Sequence, residues 1–261
     1  MTRPAILVTG GATRIGAAII RGFAARGWHT VIHYNSSATK AEELAAALAS
    51  AETIHCDLAD GDAAEAMIDT LAQRLPDWRC LINSASVFEY DGATKLDPAT
   101  NLSAMQINAA SPARMAQAFL RAATSKATRS VIQITDMKLA NPNPDFFSYT
   151  MSKHALASTI AMLAKAYADD ERARAYGLAP GAILASHDQK QDETDASHIL
   201  NLLERKTGPE EIVDAALFLA TGSLKSGSTL YIDSGQHLLD QPRDVIYLAR
   251  EAAARDTGHS A

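Results

Sequence analysis

The chain has 261 residues, 47% hydrophobic and 21% charged, enough for one sizeable core and unlike a disordered chain. A net charge of -6 with no basic stripe argues against nucleic acid or an anionic membrane as the partner. Cys56 and Cys80 stand alone, without CxxC or Cys/His ligand spacing, so neither a metal centre nor a disulfide framework is expected. Isolated histidines such as His55, His154 and His198 read as structural or solvated rather than as ligands.

The first apolar run, residues 5–8, is too short for a signal core or a membrane span, and reduced thiols suit the cytoplasm. Short Val- and Ile-rich runs then alternate with helical patterns. Strands are expected at 5–9, 29–33, 52–55, 79–83, 130–135, 172–177 and 229–232. Helices are expected at 14–26, 39–49, 61–74, 99–108, 112–124, 148–168 and 209–220. Repeated strand–helix–strand units predict an α/β fold, a doubly wound, mostly parallel, seven-stranded sheet in a single domain. Its ligand belongs at the carboxyl ends of the strands, where the strand order reverses.

The first strand runs into Thr9-Gly10-Gly11-Ala12-Thr13-Arg14-Ile15-Gly16 and then a helix. Glycines permit a tight turn and bring backbone N–H groups close to a phosphate, and the helix N-terminus adds partial positive charge. This placement favours a dinucleotide over an incidental turn. The second strand ends in His33-Tyr34-Asn35-Ser36-Ser37. An NAD site usually carries an acid there; its absence, with donors on Asn35, Ser36 and Ser37, favours NADP(H). The plainer reading is a strand–helix turn with Ser37 near an N-cap.

The fourth strand ends in Asn83-Ser84-Ala85, small and polar enough for close ligand approach. After the fifth strand, Tyr149 and Lys153 stand four apart on one helical face. An ammonium one turn from a phenol is expected to lower the tyrosine's pKa and equip Tyr149 as a proton donor. Residues 183–207 are polar and irregular, either a solvated connector or a substrate lid. The tail, 239–261, has a weak helical pattern over 243–254 that could cap the fold or reach a neighbouring subunit.

Taken in order, the glycine loop, Asp57-Leu58, Asn83-Ser84-Ala85, Asn108, Tyr149 with Lys153, Pro180-Gly181 and the closing run from Gly227 to Gly235 resemble the short-chain dehydrogenase/reductase family from Thr9 to about Leu238. The resemblance implies a Rossmann fold. It implies that Asp57 and Leu58 flank an adenine, that Asn83 and Ala85 line the nicotinamide ribose side, and that Asn108 holds a water-linked proton relay to Lys153. It implies further that Lys153 binds ribose hydroxyls, that Pro180, Gly181 and Ile183 shape the nicotinamide pocket, and that the chain forms a homo-oligomer, a dimer or tetramer, through the helix from Pro112 and the one carrying Tyr149.

Three departures look like the pteridine reductase branch, including dihydromonapterin-type reductases: Arg14 for a loop glycine, Ser84 with Ser86 in Asn-Ser-Ala-Ser-Val-Phe, and Asp136 where a catalytic serine usually stands. The usual Asn before Pro-Gly is displaced by Tyr176-Gly177-Leu178-Ala179, and the usual hydroxyl after Gly181 falls at Ala185, with Ser186 next. In this reading Phe88 stacks on a flat pterin, Arg14 and Ser86 address its polar edge, and Asp136 passes a proton through Tyr149. The expected activity is hydride transfer from NADPH to a dihydropterin. A carbonyl (3-oxoacyl-type) reductase would use Tyr149 and Lys153 without needing Asp136, and a dinucleotide-sensing protein would need no proton relay.

Overall fold

The computed structural model describes residues 3–184 and 191–258. Seven strands, β1 (Ala5–Val8), β2 (His29–Tyr34), β3 (Ala51–His55), β4 (Trp78–Asn83), β5 (Arg129–Ile134), β6 (Ala173–Pro180) and β7 (Thr229–Ile232), form one sheet in the order β3-β2-β1-β4-β5-β6-β7. Every pairing is parallel, so the sheet is wholly rather than mostly parallel.

Side chains alternate across the pleat and feed two cores. Ile6, Val8, Ile32, Ile82 and Ile132 pack against α1 (Arg14–Ala25) and α8 (Pro209–Thr221). Leu7, Val31, Leu81 and Val131 face α3 (Gly61–Arg74) and α5 (Ser111–Ala122). Each such fully buried aliphatic side chain contributes about 1.5–3 kcal/mol. Close approach is built into the first layer: a Cβ at Gly22 of α1 would lie 2.2 Å from Val213 of α8. In the second layer Trp78 meets Phe119 edge-on at 4.7 Å.

Several expected boundaries move by one to three residues, and two of the differences have a visible cause. β6 runs on to Pro180 instead of stopping at Gly177, because residues 177–180 pair with all of β7. Gly177 permits this, since a Cβ there would sit 2.4 Å from Thr229 Oγ1. The two helices expected around residues 99–124 are one continuous run: α4 (Pro98–Met105) passes through a π-helical turn (Gln106–Ala110) into α5. Pro112 has no N–H to give the ladder, and Ser111 N–H reaches back five residues to Gln106 O.

The remaining elements are α2 (Ala38–Ala46), α6 (Phe147–Ala166), α7 (Gln191–Ser197), α9 (Val245–Gly258) and the 3-10 turns Met137–Leu139 and Gln236–Leu238. The segment 183–207 thus contains a short helix, while Ala185 and Ser186 lie outside the described residues. No helix among the described residues is long and apolar enough to cross a membrane.

Candidate active site

β1 lies between β2 and β4, so crossovers leave it in opposite directions and a crevice opens at its carboxyl end. Thr9 stitches that crevice: its Oγ1 accepts the N–H groups of Ser84 (2.9 Å) and Ala85 (3.0 Å) from the end of β4. Two confluent cavities of about 510 and 260 Å³ open there, sharing Gly10, Thr13, Ala85, Ser86 and Val87.

The smaller cavity is bounded by Tyr34, Asn35, Ser36 and Ser37 after β2 and by Asp57 and Leu58 after β3. Asn35 Nδ2 donates to Asp57 Oδ1 at 3.3 Å. His33 bridges the glycine turn to β3, with Nδ1 accepting from Gly10 N–H at 3.1 Å and Nε2 at 3.0 Å from Cys56 O. Burial lowers its pKa to about 4, so the imidazole is neutral and can fill both roles at once.

The glycine turn has no room for side chains at its three glycines. Gly10 has φ +63°, and a Cβ at Gly16 would lie 2.3 Å from Gly10 O. Thr13 gives the first turn of α1 no side-chain cap. A bare backbone cradle at a helix N-terminus, opening on an elongated two-part cleft, suits a dinucleotide pyrophosphate with adenosine on one side. Arg14, at the position of a usual glycine, has φ +52°. Its guanidinium donates to Leu184 O at 3.2 Å.

The larger cavity contains the candidate catalytic groups. Asp136 follows β5, and Tyr149 and Lys153 stand one turn apart on α6. Tyr149 Oη donates to Asp136 Oδ2 at 2.7 Å, while Oδ1 accepts Lys138 N–H at 2.9 Å. Lys153 Nζ donates to Ile134 O at 2.9 Å and lies 5.5 Å from the centre of the Tyr149 ring.

Burial raises the pKa of Asp136. Burial, and then the Asp136 charge, raise that of Tyr149 well above its usual value. This corrects the expectation that Lys153 draws the phenol toward neutrality: desolvation and the carboxylate outweigh the ammonium. Lys153 itself is lowered to about 8 by burial. Both shifts favour the protonated forms of Asp136 and Tyr149.

Phe88 covers the same cavity. One face of its ring stacks on Phe146 at 4.0 Å, and its edge relation to Tyr149 is 4.7 Å. Phe146 has φ +55° and immediately precedes α6. Asp91 receives Ser148 N–H (2.8 Å) and Ser148 Oγ (2.6 Å), anchoring the turn that carries Tyr149.

Of the residues singled out in the sequence, Gly10, Arg14, Ile15, Gly16, Tyr34, Asn35, Ser36, Ser37, Asp57, Leu58, Ala85, Ser86, Phe88, Asp136, Tyr149, Lys153, Pro180, Gly181 and Ile183 line one cavity or both. Asn83 does not. It shares the pleat side of Leu81, and its amide donates inward to Gln133 Oε1 (2.9 Å) and Pro112 O (3.2 Å). Asn108 is also behind the wall: its amide holds the N–H and C=O of Val87 at 2.8 and 2.9 Å and donates to Ser152 Oγ at 3.0 Å.

Lys138, Gln236 and Asp244 line the cleft as well. Sequence reading passed over them. Lys138 has one signal, its place two residues after Asp136; Asp244 has none beyond lying in the weak helical pattern of the tail.

Comparison with known proteins agrees with this architecture. The family model described as "Enoyl-(Acyl carrier protein) reductase" matches residues 10–237. The Brucella suis FolM alternative dihydrofolate reductase 1, solved in complex with NADP, is 30% identical with a TM-score of 0.83, over 91% of this chain and 96% of that one. Dihydromonapterin reductase of Escherichia coli O6:K15:H31 is 27% identical over 89% of this chain and 96% of its own. Galactitol 2-dehydrogenase (L-tagatose-forming) of Cereibacter sphaeroides is 30% identical over 87% and 92%, so similarity alone spans several substrates. With the fold, the glycine cradle and the family match together, the chain belongs to the short-chain dehydrogenase/reductase family.

Proposed function

We propose that this chain is an NADPH-dependent reductase acting on a pterin, converting a dihydropterin to a tetrahydropterin. The observation that carries the reading is the 2.7 Å hydrogen bond from Tyr149 to the half-buried Asp136, facing a cleft walled by Phe88. A ring nitrogen of a C=N bond needs a proton as the neighbouring carbon is reduced. A phenol backed by a carboxylic acid supplies that proton and is reloaded from the same pair.

The backbone of Gly10, Ile15 and Gly16 would hold the NADPH pyrophosphate, Asp57 and Leu58 the adenine side, and Asn35, Ser36 and Ser37 the 2′-phosphate. Pro180, Gly181 and Ile183 would bound the nicotinamide, with Lys153 beside its ribose. When bound, NADPH supplies the hydride. The NADP complex of the similar Brucella protein supports the choice of cofactor.

Tyr149 gives its phenolic proton to the substrate, Asp136 replaces it, and the Lys153 charge steadies the phenolate in between. Phe88 offers an aromatic wall to the flat ring, and Arg14 and Ser86 meet its polar edge. Asn108 supports this wall through Val87 and Ser152. Cytoplasmic location and pairing into a tetramer through α5 and α6 belong to the same proposal; the exposed Met151 and Met162 on α6 are apolar residues that pairing would cover.

The test is NADPH oxidation with dihydrobiopterin, dihydromonapterin, dihydrofolate and an acetoacetyl thioester. Turnover of a pterin that is lost in Tyr149→Phe supports the reading. Turnover of the thioester alone overturns it in favour of a carbonyl reductase, a reading that the likeness to a polyol dehydrogenase keeps in view. Asp136→Ser separates the two, since a carbonyl reductase tolerates a hydroxyl there.

A further inference from the structure

The C-terminal segment closes one side of the cleft. Asp244, Val245 and Ile246, where α9 begins, line it and are largely buried. α9 is also tied to α7 through Arg250 and Glu193 at 3.0 Å.

The tightest link runs to the reactive acid. Lys138 Nζ lies 2.7 Å from Asp244 Oδ2, with side chains 6% and 9% exposed. The same ammonium donates to Asp145 O at 3.4 Å and sits 5.0 Å from the centre of the Phe146 ring. Asp244 is held in turn: its N–H donates to Asp145 Oδ2 at 2.8 Å, its Oδ1 accepts Ile246 N–H at 3.1 Å, and Arg243 grips Asp145 with two bonds of 2.8 and 3.0 Å. Lys138 then reaches Asp136 through its own backbone, since Lys138 N–H is the donor to Asp136 Oδ1. A chain of direct contacts thus joins the tail to the carboxyl that receives the Tyr149 hydrogen.

We propose that Lys138 and Asp244 are a positioning pair, by which the C-terminal segment fixes the Asp136 carboxyl against Tyr149 and governs how readily it releases a proton. The inference rests on the reading of Asp136 as a proton source. Lys138 presents a positive charge to Asp136, and Asp244 compensates it. Remove Asp244 and Lys138 faces Asp136 uncompensated, favouring the carboxylate; remove Lys138 and the positive charge that favours the carboxylate is lost. The groups facing Asp136 are Lys138 of its own turn and Tyr149 and Lys153 of α6, while Asp244 of the tail pairs with Lys138 and acts on Tyr149. Arg14, Glu89 and His198 complete the titratable lining of the cleft.

The experiment is a pH titration of the intact protein carrying aspartate labelled with carbon-13 at the side-chain carboxyl, the Asp136 resonance being assigned by its loss in Asp136→Asn. In Asp244→Asn the Asp136 midpoint moves down by about one pH unit, and in Lys138→Met it moves up by about as much. The double variant Lys138→Met/Asp244→Leu leaves no unpaired buried charge, keeps the test available where a single variant fails to fold, and returns the midpoint to within about half a unit of the wild type. Midpoints unmoved in the single variants, or moved the same way in both, overturn the proposal, as does a double variant displaced by a full unit. The titration needs no substrate: absence of pterin turnover with the opposed shifts present sinks the pterin reading and leaves the positioning pair standing.

Discussion

Tyr149 donates to Asp136 Oδ2 at 2.7 Å, although the two residues come from different elements, one from the first turn of α6 and the other from the start of the 3-10 turn that follows β5. Burial raises the pKa of both. On the proposed reading the carboxyl behind the phenol reloads it with a proton, and the two roles separate by substitution. Tyr149→Phe removes the group nearest the acceptor and is expected to lower kcat by about 10²–10⁴-fold, the usual worth of a positioned acid. Asp136→Asn keeps the shape and loses only the reloading proton, so its kcat falls by less. NADPH affinity, measured by fluorescence titration, changes little in either variant. A collapse of binding equal to the loss of rate would show that the pair builds the site rather than serving the chemistry.

Lys153 sets an alkaline limit. Burial lowers its pKa from 10.5 to about 8, so kcat/KM, which reports the free enzyme, falls as pH rises through about 8 and the ammonium loses its charge. Lys153→Arg keeps a cation at every working pH, so the alkaline limb disappears even where the absolute rate is lower. Stability moves the other way. Between about 8 and 10.5 the unfolded chain binds a proton that folded Lys153 has released, so this residue's contribution to unfolding free energy rises with pH across that window. Urea melts at several pH values read the sign.

Arg14 occupies a left-handed conformation, φ +52°, in a loop where the family uses glycine. Holding a non-glycine residue there costs on the order of 1 kcal/mol. Arg14→Gly is therefore expected to leave the fold intact and, through relief of that strain, to raise the thermal midpoint slightly or leave it unchanged. On the proposed reading it also removes a guanidinium that meets both the pyrophosphate and the pterin. KM for the pterin and Kd for NADPH should both increase. A variant with unchanged KM and Kd would reduce Arg14 to its contact with Leu184 O.

The sheet and the glycine cradle were legible because their signals are local. A Val- and Ile-rich run beside a glycine turn declares a buried parallel strand, and the four-residue spacing of Tyr149 and Lys153 puts them on one face of a helix. What escaped was set by distant partners. β6 outran its expected end because β7, about fifty residues later, pairs with the whole of 177–180. The π-helical turn depends on Pro112 interrupting a helix whose hydrophobic pattern reads as two pieces. Asn83 has the composition of a cleft residue, but the pleat turns it toward Pro112. Lys138 and Asp244 are 106 positions apart in the numbering, and no local pattern relates them.

Asp91 offers a last way to separate scaffold from chemistry. It lies outside the cleft lining, is 4% exposed, and accepts Ser148 N–H and Ser148 Oγ at 2.8 and 2.6 Å. It thereby satisfies the first turn of α6, the turn that aims Tyr149 at Asp136. Asp91→Ala leaves a buried N–H and hydroxyl without their acceptor and is expected to cost about 2 kcal/mol of stability. Asp91→Asn retains one acceptor oxygen and should cost about half as much. Because Tyr149 is the next residue after Ser148, kcat should fall together with stability while the alkaline limb near pH 8 remains where Lys153 puts it. Denaturant melts and a pH–rate profile on the same preparations make the distinction. Loss of stability at full kcat would mean that Phe146 and Phe88, stacked at 4.0 Å, hold the tyrosine without help from the cap.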